Sequence, residues 1–372
     1  MKNTLFKISL LMLCLALSSW GSKGHRKISQ NMAACLPAQM SFLKPTWTNY
    51  IATHASDADN RKGQDPNESP RHYIDINNYP VFVQTGRIPQ TYDSIVEQFG
   101  NSFVIDQGIL PWATLIAYDS LKSCFLRRDW NKSAYFAADL GHYIGDGHMP
   151  LHITNNYNGQ MTGQTGIHSR YETSLVSRYE TQIVYPADSV QFIDNVGKYV
   201  FGYLYEDYQY VDSLLLADTY AKTLAGGSTT SDAYYQALWA KSGDFTLRLM
   251  RHGSTSLADL IYTAWVQAGS PMIYPNAIDE KGNMYQSQLL RVFPNPVSQS
   301  LCFPMILANQ GEPVTLMVYD GSGDLQGTMP NGLMSAGYHE INWDVHGLAA
   351  GVYFCVLKSG NFSAAQRFVV VR

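Results

Sequence analysis

Histidine and carboxylate residues recur at one spacing in two short segments of this sequence. In GHYIGDGHMPLH, His142 and Asp146 are four residues apart, and in GIHSRYETSL, His168 and Glu172 repeat that spacing. Residues four apart lie on one face of a helix, so each pair places an imidazole nitrogen beside a carboxylate oxygen. A nitrogen and an oxygen one turn apart are able to coordinate one cation, and we expect each pair to do so.

The segment after the first pair supplies another ligand. Pro150 should interrupt the helix, which lets His152 reach a different position. The two pairs and His152 together offer five ligands, which is too many for one tetrahedral zinc. The sequence therefore predicts at least two metals. His148 faces away from the first pair, and we expect it to support the ligands or to lie at the surface.

An upstream loop, SDADNRKGQDPNESPRHYID, offers Asp57, Asp59 and His72. One of the aspartates with His72 would complete a four-ligand site with His142 and Asp146, and the spacing alone favours neither aspartate. We expect two more acids of the loop, Asp65 and Glu68, to be solvated. His54, just before the loop, should be a neighbour of the site rather than a ligand.

The N-terminus predicts a third metal site. Residues 1–19 have the basic start, apolar run and small final residues of a secretory signal peptide. Cleavage after Ser19 would free the α-amine of Trp20, which forms a five-membered chelate with its own carbonyl oxygen. His25 adds a nitrogen, and the second oxygen of Asp146 is able to bridge. The tryptophan ring would anchor the chain end, since a frayed terminus cannot hold a metal.

The composition bears on nucleic-acid binding and on the kind of zinc site that the chain is able to form. The chain has 372 residues, a net charge of −4 and 15% charged residues, with no Lys/Arg run. The chain therefore lacks the clustered positive charge that binds the phosphates of duplex DNA. Binding of single-stranded nucleic acid by stacking of its bases is not excluded. No Cys-x-x-Cys motif occurs, so zinc must be bound by histidine and carboxylate. Cys302 and Cys355 either pair or are buried free thiols.

Two regions differ in their hydrophobic pattern. Up to about residue 270 apolar residues recur at three- and four-residue spacing, for example over residues 111–126, 129–148 and 231–253, which predicts an all-α catalytic domain over residues 20–272. Residues 273–290 have the composition of a linker. Over residues 291–372 apolar and polar residues alternate between turn residues, as in VTLMVYDGSGDLQG and GVYFCVLKSG, which predicts a small all-β sandwich without catalysis. No segment is long and apolar enough to cross a membrane.

The C-terminal region resembles a known sorting module. The segments RVFPNPVSQSL, VYDGSGDL, GYHEINWD and LAAGVYF are similar to the C-terminal sorting domain of type IX secretion cargo. The resemblance implies the type IX machinery as a partner, and release or attachment at the cell surface.

The helical region resembles the superfamily of zinc-dependent phospholipases C and single-strand-specific zinc nucleases. The resemblance rests on WGSKGH, ADNR…RHYID, GHYIGDGHMPLH and GIHSRYE. It implies an all-α fold with three zinc ions per chain, one of them held through an N-terminal tryptophan. It also favours Asp59 over Asp57. The implied ligands are Asp59, His72, His142 and Asp146 for one zinc, His152, His168 and Glu172 for a second, and Trp20, His25 and Asp146 for the third.

The expected reaction is hydrolysis of a phosphodiester, with Asp59 as an assisting base. Arg170 either contacts phosphate or forms a salt bridge. Glu172 resembles the phospholipase branch, whereas the spacing of WG…GH resembles the nuclease branch. The sequence thus favours a secreted phospholipase C-like hydrolase. An endonuclease on single-stranded DNA or RNA, and a non-catalytic surface protein stabilised by zinc, remain as alternatives.

Overall fold

The structure is a computed structural model that describes residues 20–271, 287–308, 311–335 and 337–372. Up to residue 271 its regular elements are helices, and from residue 288 they are strands, so the predicted order of a helical region and a sheet region is confirmed. The contacts divide the chain into two compact units. One holds residues up to Pro37, Lys44–Leu121 and Asn131–Tyr262, and the other holds Ala38–Leu43, Lys122–Trp130 and Thr263–Arg372.

The helices of the described residues are α1 (Gly21–Cys35), α2 (Thr46–Thr53), α3 (Asp57–Arg61), α4 (Pro80–Thr85), α5 (Tyr92–Phe99), α6 (Asn101–Asp106), α7 (Leu110–Arg127), α8 (Trp130–Gly147), α9 (Ile167–Ser169), α10 (Val176–Tyr179), α11 (Val196–Tyr208), α12 (Tyr210–Leu224) and α13 (Asp232–Gln267). A π-helical turn, Arg170–Leu175, joins α9 to α10. Four 3-10 turns complete this part: Ala38–Leu43, Ser69–His72, Ile76–Asn78 and Pro150–His152.

Helix α8 is the element on which the candidate site is built. Small residues let it pack closely, and its last ten residues, from Ala138 to Gly147, are all buried. It ends at Gly147, and Pro150 starts a separate 3-10 turn, as the sequence predicts. The longest helix, α13, runs further than the segment from which it was predicted because its buried apolar spacing continues through Trp265.

The strands are β1 (Gln288–Leu289), β2 (Ser300–Leu307), β3 (Glu312–Asp320), β4 (Leu325–Met334), β5 (Gly337–Asp344), β6 (Gly351–Ser359) and β7 (Phe362–Val370). They form two antiparallel sheets, with orders β1-β2-β5 and β4-β3-β6-β7. Alternate residues of β3 point inward, where Val314, Leu316 and Val318 join an apolar core that includes Phe303 and Phe368.

Several sequence predictions concern other parts of the chain. The predicted signal peptide and most of the predicted linker lie outside the described residues, although β1 lies within the C-terminal end of that linker. The cysteines at 35, 124, 302 and 355 are buried, and no disulfide bond joins any two of these described cysteines. Among the described residues, no helix combines the length and apolar character that crossing a bilayer requires.

Candidate metal centre

Helix α8 presents His142 and Asp146 side by side, and neither is exposed by more than 1%. His142 Nδ1 donates to the carbonyl oxygen of Ala55 at 2.7 Å, which fixes the ring orientation. The other ring nitrogen, Nε2, then faces Asp146 Oδ2 at 3.4 Å and Asp59 Oδ1 at 3.5 Å. A histidine that bonds a backbone carbonyl through Nδ1 presents Nε2 as its ligand atom for a metal.

The upstream loop delivers Asp59 and His72 to the same place. Asp59 lies on α3, and His72 ends a 3-10 turn. His72 Nδ1 is 3.0 Å from Asp146 Oδ2, 3.0 Å from His142 Nε2 and 3.5 Å from Asp59 Oδ1. Asp57 instead pairs with His54 at 2.7 Å. The four side chains predicted for the first site, with Asp59 as the aspartate, therefore converge.

The second predicted set converges as well. His152 Nδ1 is 2.5 Å from the carbonyl oxygen of His72, and His168 Nδ1 is 2.9 Å from that of Tyr157. The Nε2 atoms of His152 and His168 are 3.2 Å apart, and they lie 3.7 and 3.2 Å from Glu172 Oε2. Two imidazoles and one carboxylate thus face a common point. The π-helical turn holds Glu172 one turn after His168.

The N-terminal residues lie against the turn that carries Asp146. His25 Nε2 is 3.5 Å from Asp146 Oδ1, and its ring stacks on that of His142 with centroids 4.0 Å apart. Trp20 is fully buried, and its indole N–H donates to the carbonyl oxygen of Gly145 at 2.7 Å. The α-amine of Trp20 exists only after cleavage behind Ser19, which lies outside the described residues.

The buried histidines and carboxylates of this cluster shift one another's pKa values. Burial alone would raise the pKa of Asp59, Asp146 and Glu172, but the neighbouring histidines outweigh it and lower all three pKa values. Burial would likewise lower the pKa of His142, yet Asp146 and Asp59 raise it to about 9. For His25, burial and then His142 lower the pKa. The carboxylates therefore stay ionised in a buried site.

Three carboxylate oxygens of the cluster fit a bound cation. Asp59 Oδ2, Asp146 Oδ1 and Glu172 Oε2 are buried and have no hydrogen-bond partner among the described residues. A buried, unsatisfied charged oxygen is costly, and a metal ion would satisfy it. Three groups bring their ligand atoms within 4.8 Å of one another: His25, Asp59 and His142; His72, His142 and Asp146; His152, His168 and Glu172. Imidazole and carboxylate donors of this kind suit zinc.

The prediction that Glu68 is a solvated loop residue is wrong. Glu68 is only 1% exposed, accepts a hydrogen bond from Tyr143 at 2.6 Å and lies 3.3 Å from His72 Nε2. Burial raises its pKa, but hydrogen bonds from His72, Tyr143 and Arg61 outweigh it and bring the pKa to about 2. Glu68 precedes His72 by four residues, so the acid–histidine spacing was a signal for this contact.

Arg170 forms a salt bridge, which is the alternative that the sequence left open to the predicted phosphate contact. Its Nη2 lies 3.0 Å from Asp218 Oδ1, and its Nε donates to the hydroxyl of Tyr234 at 2.9 Å. Its Nη1 and Nη2 also donate to the carbonyl oxygens of Thr165 and Gln164. Because Arg170 lies two residues from both His168 and Glu172, it occupies the opposite side of the helix.

Residues 291–371 match the family model described as a secretion system C-terminal sorting domain. The chain is a secreted or cell-surface protein. The type IX machinery implied by this domain is its partner for export, as the C-terminal motifs predicted.

The solved structures that are similar to this chain include two clostridial toxins and a protein from Porphyromonas gingivalis. Alpha toxin from Clostridium absonum has 10% identity and a TM-score of 0.43, with 95% of this chain and 98% of the toxin covered. Alpha-toxin from an avian strain of Clostridium perfringens has 10% identity and a TM-score of 0.44, with 95% and 99% covered. Dimeric latent PorU from Porphyromonas gingivalis has 24% identity and a TM-score of 0.20, with 27% and 10% covered. No curated protein sequence matches the chain significantly.

Proposed function

We propose that this protein is a secreted, zinc-dependent hydrolase of phosphodiesters with phospholipase C-like specificity. One observation carries the proposal: eight imidazole and carboxylate side chains, chosen from sequence spacing and motif resemblance, lie in one buried cluster with unsatisfied carboxylate oxygens. A structural zinc site in loops ordinarily uses cysteine, whereas this donor set is typical of hydrolytic zinc.

The proposed centre holds three zinc ions. Bound zinc would polarise a phosphoryl oxygen and lower the pKa of water towards ~7. Asp59, His72, His142 and Asp146 would hold the first zinc, and His152, His168 and Glu172 would hold the second. The amine and carbonyl of Trp20 would hold the third, together with His25 and Asp146.

Asp59 is the carboxylate best placed to meet substrate. Its side chain is 10% exposed, whereas those of Asp146 and Glu172 are 0% and 1% exposed. Its lowered pKa keeps it ionised, so it is able to accept a hydrogen bond from a water and orient that water. Lys62 Nζ, 2.6 Å from Asp59 Oδ1, places a positive charge beside it. As the water oxygen attacks phosphorus, the bond to the leaving alcohol breaks, and the proton that the water loses passes by way of Asp59 to the alcohol oxygen.

The phospholipid preference rests on two features of the sequence. Glutamate stands at 172, as in the phospholipase branch that the motifs resemble. The chain also has few basic residues to neutralise a polyanion.

A substrate panel tests the proposal. Phosphatidylcholine, denatured DNA and RNA are incubated with the zinc-loaded protein, with and without a chelator. We expect chelator-sensitive release of the phosphorylated head group. Turnover of nucleic acid alone would replace the proposal with a single-strand-specific nuclease. Zinc binding without turnover of any of the three would favour a non-catalytic protein stabilised by zinc.

A further inference from the structure

A second buried polar cluster lies at the C-terminal end of α8. His148 Nδ1 is 2.5 Å from Asp207 Oδ2, and His148 Nε2 is 3.1 Å from Ser256 Oγ. A carboxylate only accepts hydrogen bonds, so Nδ1–H donates to Asp207 and Nε2 accepts the hydroxyl proton of Ser256. Asp207 lies on α11 and Ser256 on α13. His148 therefore connects the end of α8 to α11 and α13 through hydrogen bonds.

The cluster has the order of groups found in serine hydrolases, but it is closed to substrate. His148, Asp207 and Ser256 are 1%, 3% and 4% exposed. A nucleophile must reach the reacting atom of its substrate, and a serine buried to this degree does not. The cluster must therefore act through the protein around it.

The backbone links His148 to the turn that carries Asp146. The N–H of His148 lies 3.1 Å from the carbonyl oxygen of Ile144 and 3.2 Å from that of Gly145, so its position is fixed relative to this turn. The His148 ring stacks on Tyr203 of α11 with centroids 4.4 Å apart. A movement of His148 would therefore move the last turn of α8.

Asp146 is the residue for which such a movement matters most. It is fully buried and contacts histidines of all three predicted ligand sets. Its oxygens lie 3.5 Å from His25 Nε2, 3.0 Å from His72 Nδ1, 3.4 Å from His142 Nε2 and 3.8 Å from His152 Nδ1. A small displacement would disturb several contacts at once.

We infer that His148, held by Asp207 and Ser256, is a positioning residue that fixes Asp146 at the junction of the metal sites. The inference rests on the proposed zinc-dependent function and adds three residues that are outside the ligand set. Loss of the hydrogen bonds to His148 should weaken zinc binding while the fold remains. Groups that orient metal ligands typically change metal affinity by about 10- to 100-fold.

Two serines of α13 provide a matched test. Ser256→Ala removes the hydroxyl that binds His148, whereas Ser242→Ala removes a similarly buried hydroxyl that, among the described residues, donates to the carbonyl oxygen of Leu238 in its own helix. We expect Ser256→Ala to lower zinc affinity by about tenfold or more, and Ser242→Ala to leave it unchanged. Competition with a chromophoric chelator measures the affinity, and melting of the metal-free variants monitors the fold.

Substitution of His148 separates packing from hydrogen bonding. His148→Phe keeps a ring against Tyr203 but loses both nitrogens, whereas His148→Asn keeps a side-chain N–H donor. We expect the visible spectrum of the cobalt-loaded protein to change in the Phe variant and to be restored in part in the Asn variant. Cobalt bands report ligand geometry, which a loss of stability alone does not alter.

The outcomes separate this inference from the proposed function. Equal zinc affinity in wild type, Ser256→Ala and His148→Phe, with chelator-sensitive hydrolysis retained, would overturn the inference alone. A similar loss of affinity in Ser242→Ala would also overturn it. A wild-type protein that binds no zinc would overturn the proposed function itself.

Discussion

At the scale of single residues, Asp57 and Asp59 lie two positions apart on α3 but in different surroundings. Asp57 pairs with His54 and its side chain is 43% exposed, whereas Asp59 faces His72 and His142 with 10% exposure. The two aspartates therefore form a natural pair of target and control.

We expect Asp59→Asn to lower kcat/KM by at least about 100-fold and to weaken the binding of one zinc, because it removes a proposed ligand and base. Asp57→Asn should change kcat/KM by less than about twofold, since surface substitutions away from a site have small effects. Steady-state hydrolysis and elemental analysis of both variants check this. Equal loss in both would show that Asp59 has no special role.

The raised pKa of His142 predicts proton release on zinc binding. Without metal its pKa is about 9, so the ring is protonated at pH 7, and zinc must displace that proton to bind Nε2. Affinity should therefore rise with pH between about 6 and 9. Calorimetry at pH 7 in buffers of different ionisation enthalpy measures the released protons. Binding without proton release would contradict the proposed ligation by His142.

Spacing indicated the proposed ligands better than it indicated the residues that hydrogen-bond to them. A four-residue acid–histidine pair is a local property of a helix, so His142 with Asp146 and His168 with Glu172 are visible in the sequence. Glu68 has the same spacing from His72, but it lies in a polar loop, and its burial depends on Tyr143 and Arg61, distant in the chain. The spacing therefore indicates the contact of Glu68 with His72, whereas the burial of Glu68 by residues distant in the chain has no local signal.

At the scale of elements, the close approach of α1 to α8 depends on glycine at 145. A Cβ atom there would lie 2.6 Å from Nδ1 of His25, whose ring is stacked on that of His142. Gly202 on α11 offers a control, since a Cβ atom there meets nothing within 4 Å.

We expect Gly145→Ala to displace His25 and reduce the bound zinc by one ion per chain. Gly202→Ala should instead stabilise the fold by up to about 1 kcal/mol, because alanine is the better helix former. Elemental analysis and urea unfolding check both effects. Full zinc occupancy in Gly145→Ala would mean that His25 is not needed for a third site.

Helices and strands were predictable where their pattern is local. The spacing gave α7 and α8 to within a residue or two, and the alternation gave β3 and β6. The π-helical turn Arg170–Leu175 was not predictable, because its sequence differs little from that of an ordinary helix and its extra residue depends on tertiary packing.

At the scale of the whole molecule, the proposed third zinc site would link export to catalysis through the N-terminus. Signal cleavage would create the amine of Trp20, and the sorting domain directs the chain out of the cell. We expect a protein with one extra residue before Trp20 to lose the third zinc and most of its activity, because the amine becomes an amide. One extra residue after Arg372 is the control. Unchanged activity of the N-terminally extended protein would exclude the chelate.

The proposed function depends on a three-zinc centre built from these side chains. The zinc content of protein expressed with ample zinc, with Trp20 verified as the first residue, measures this directly. We expect three zinc ions per chain, and a ratio of two or less would show that the three-zinc centre does not form.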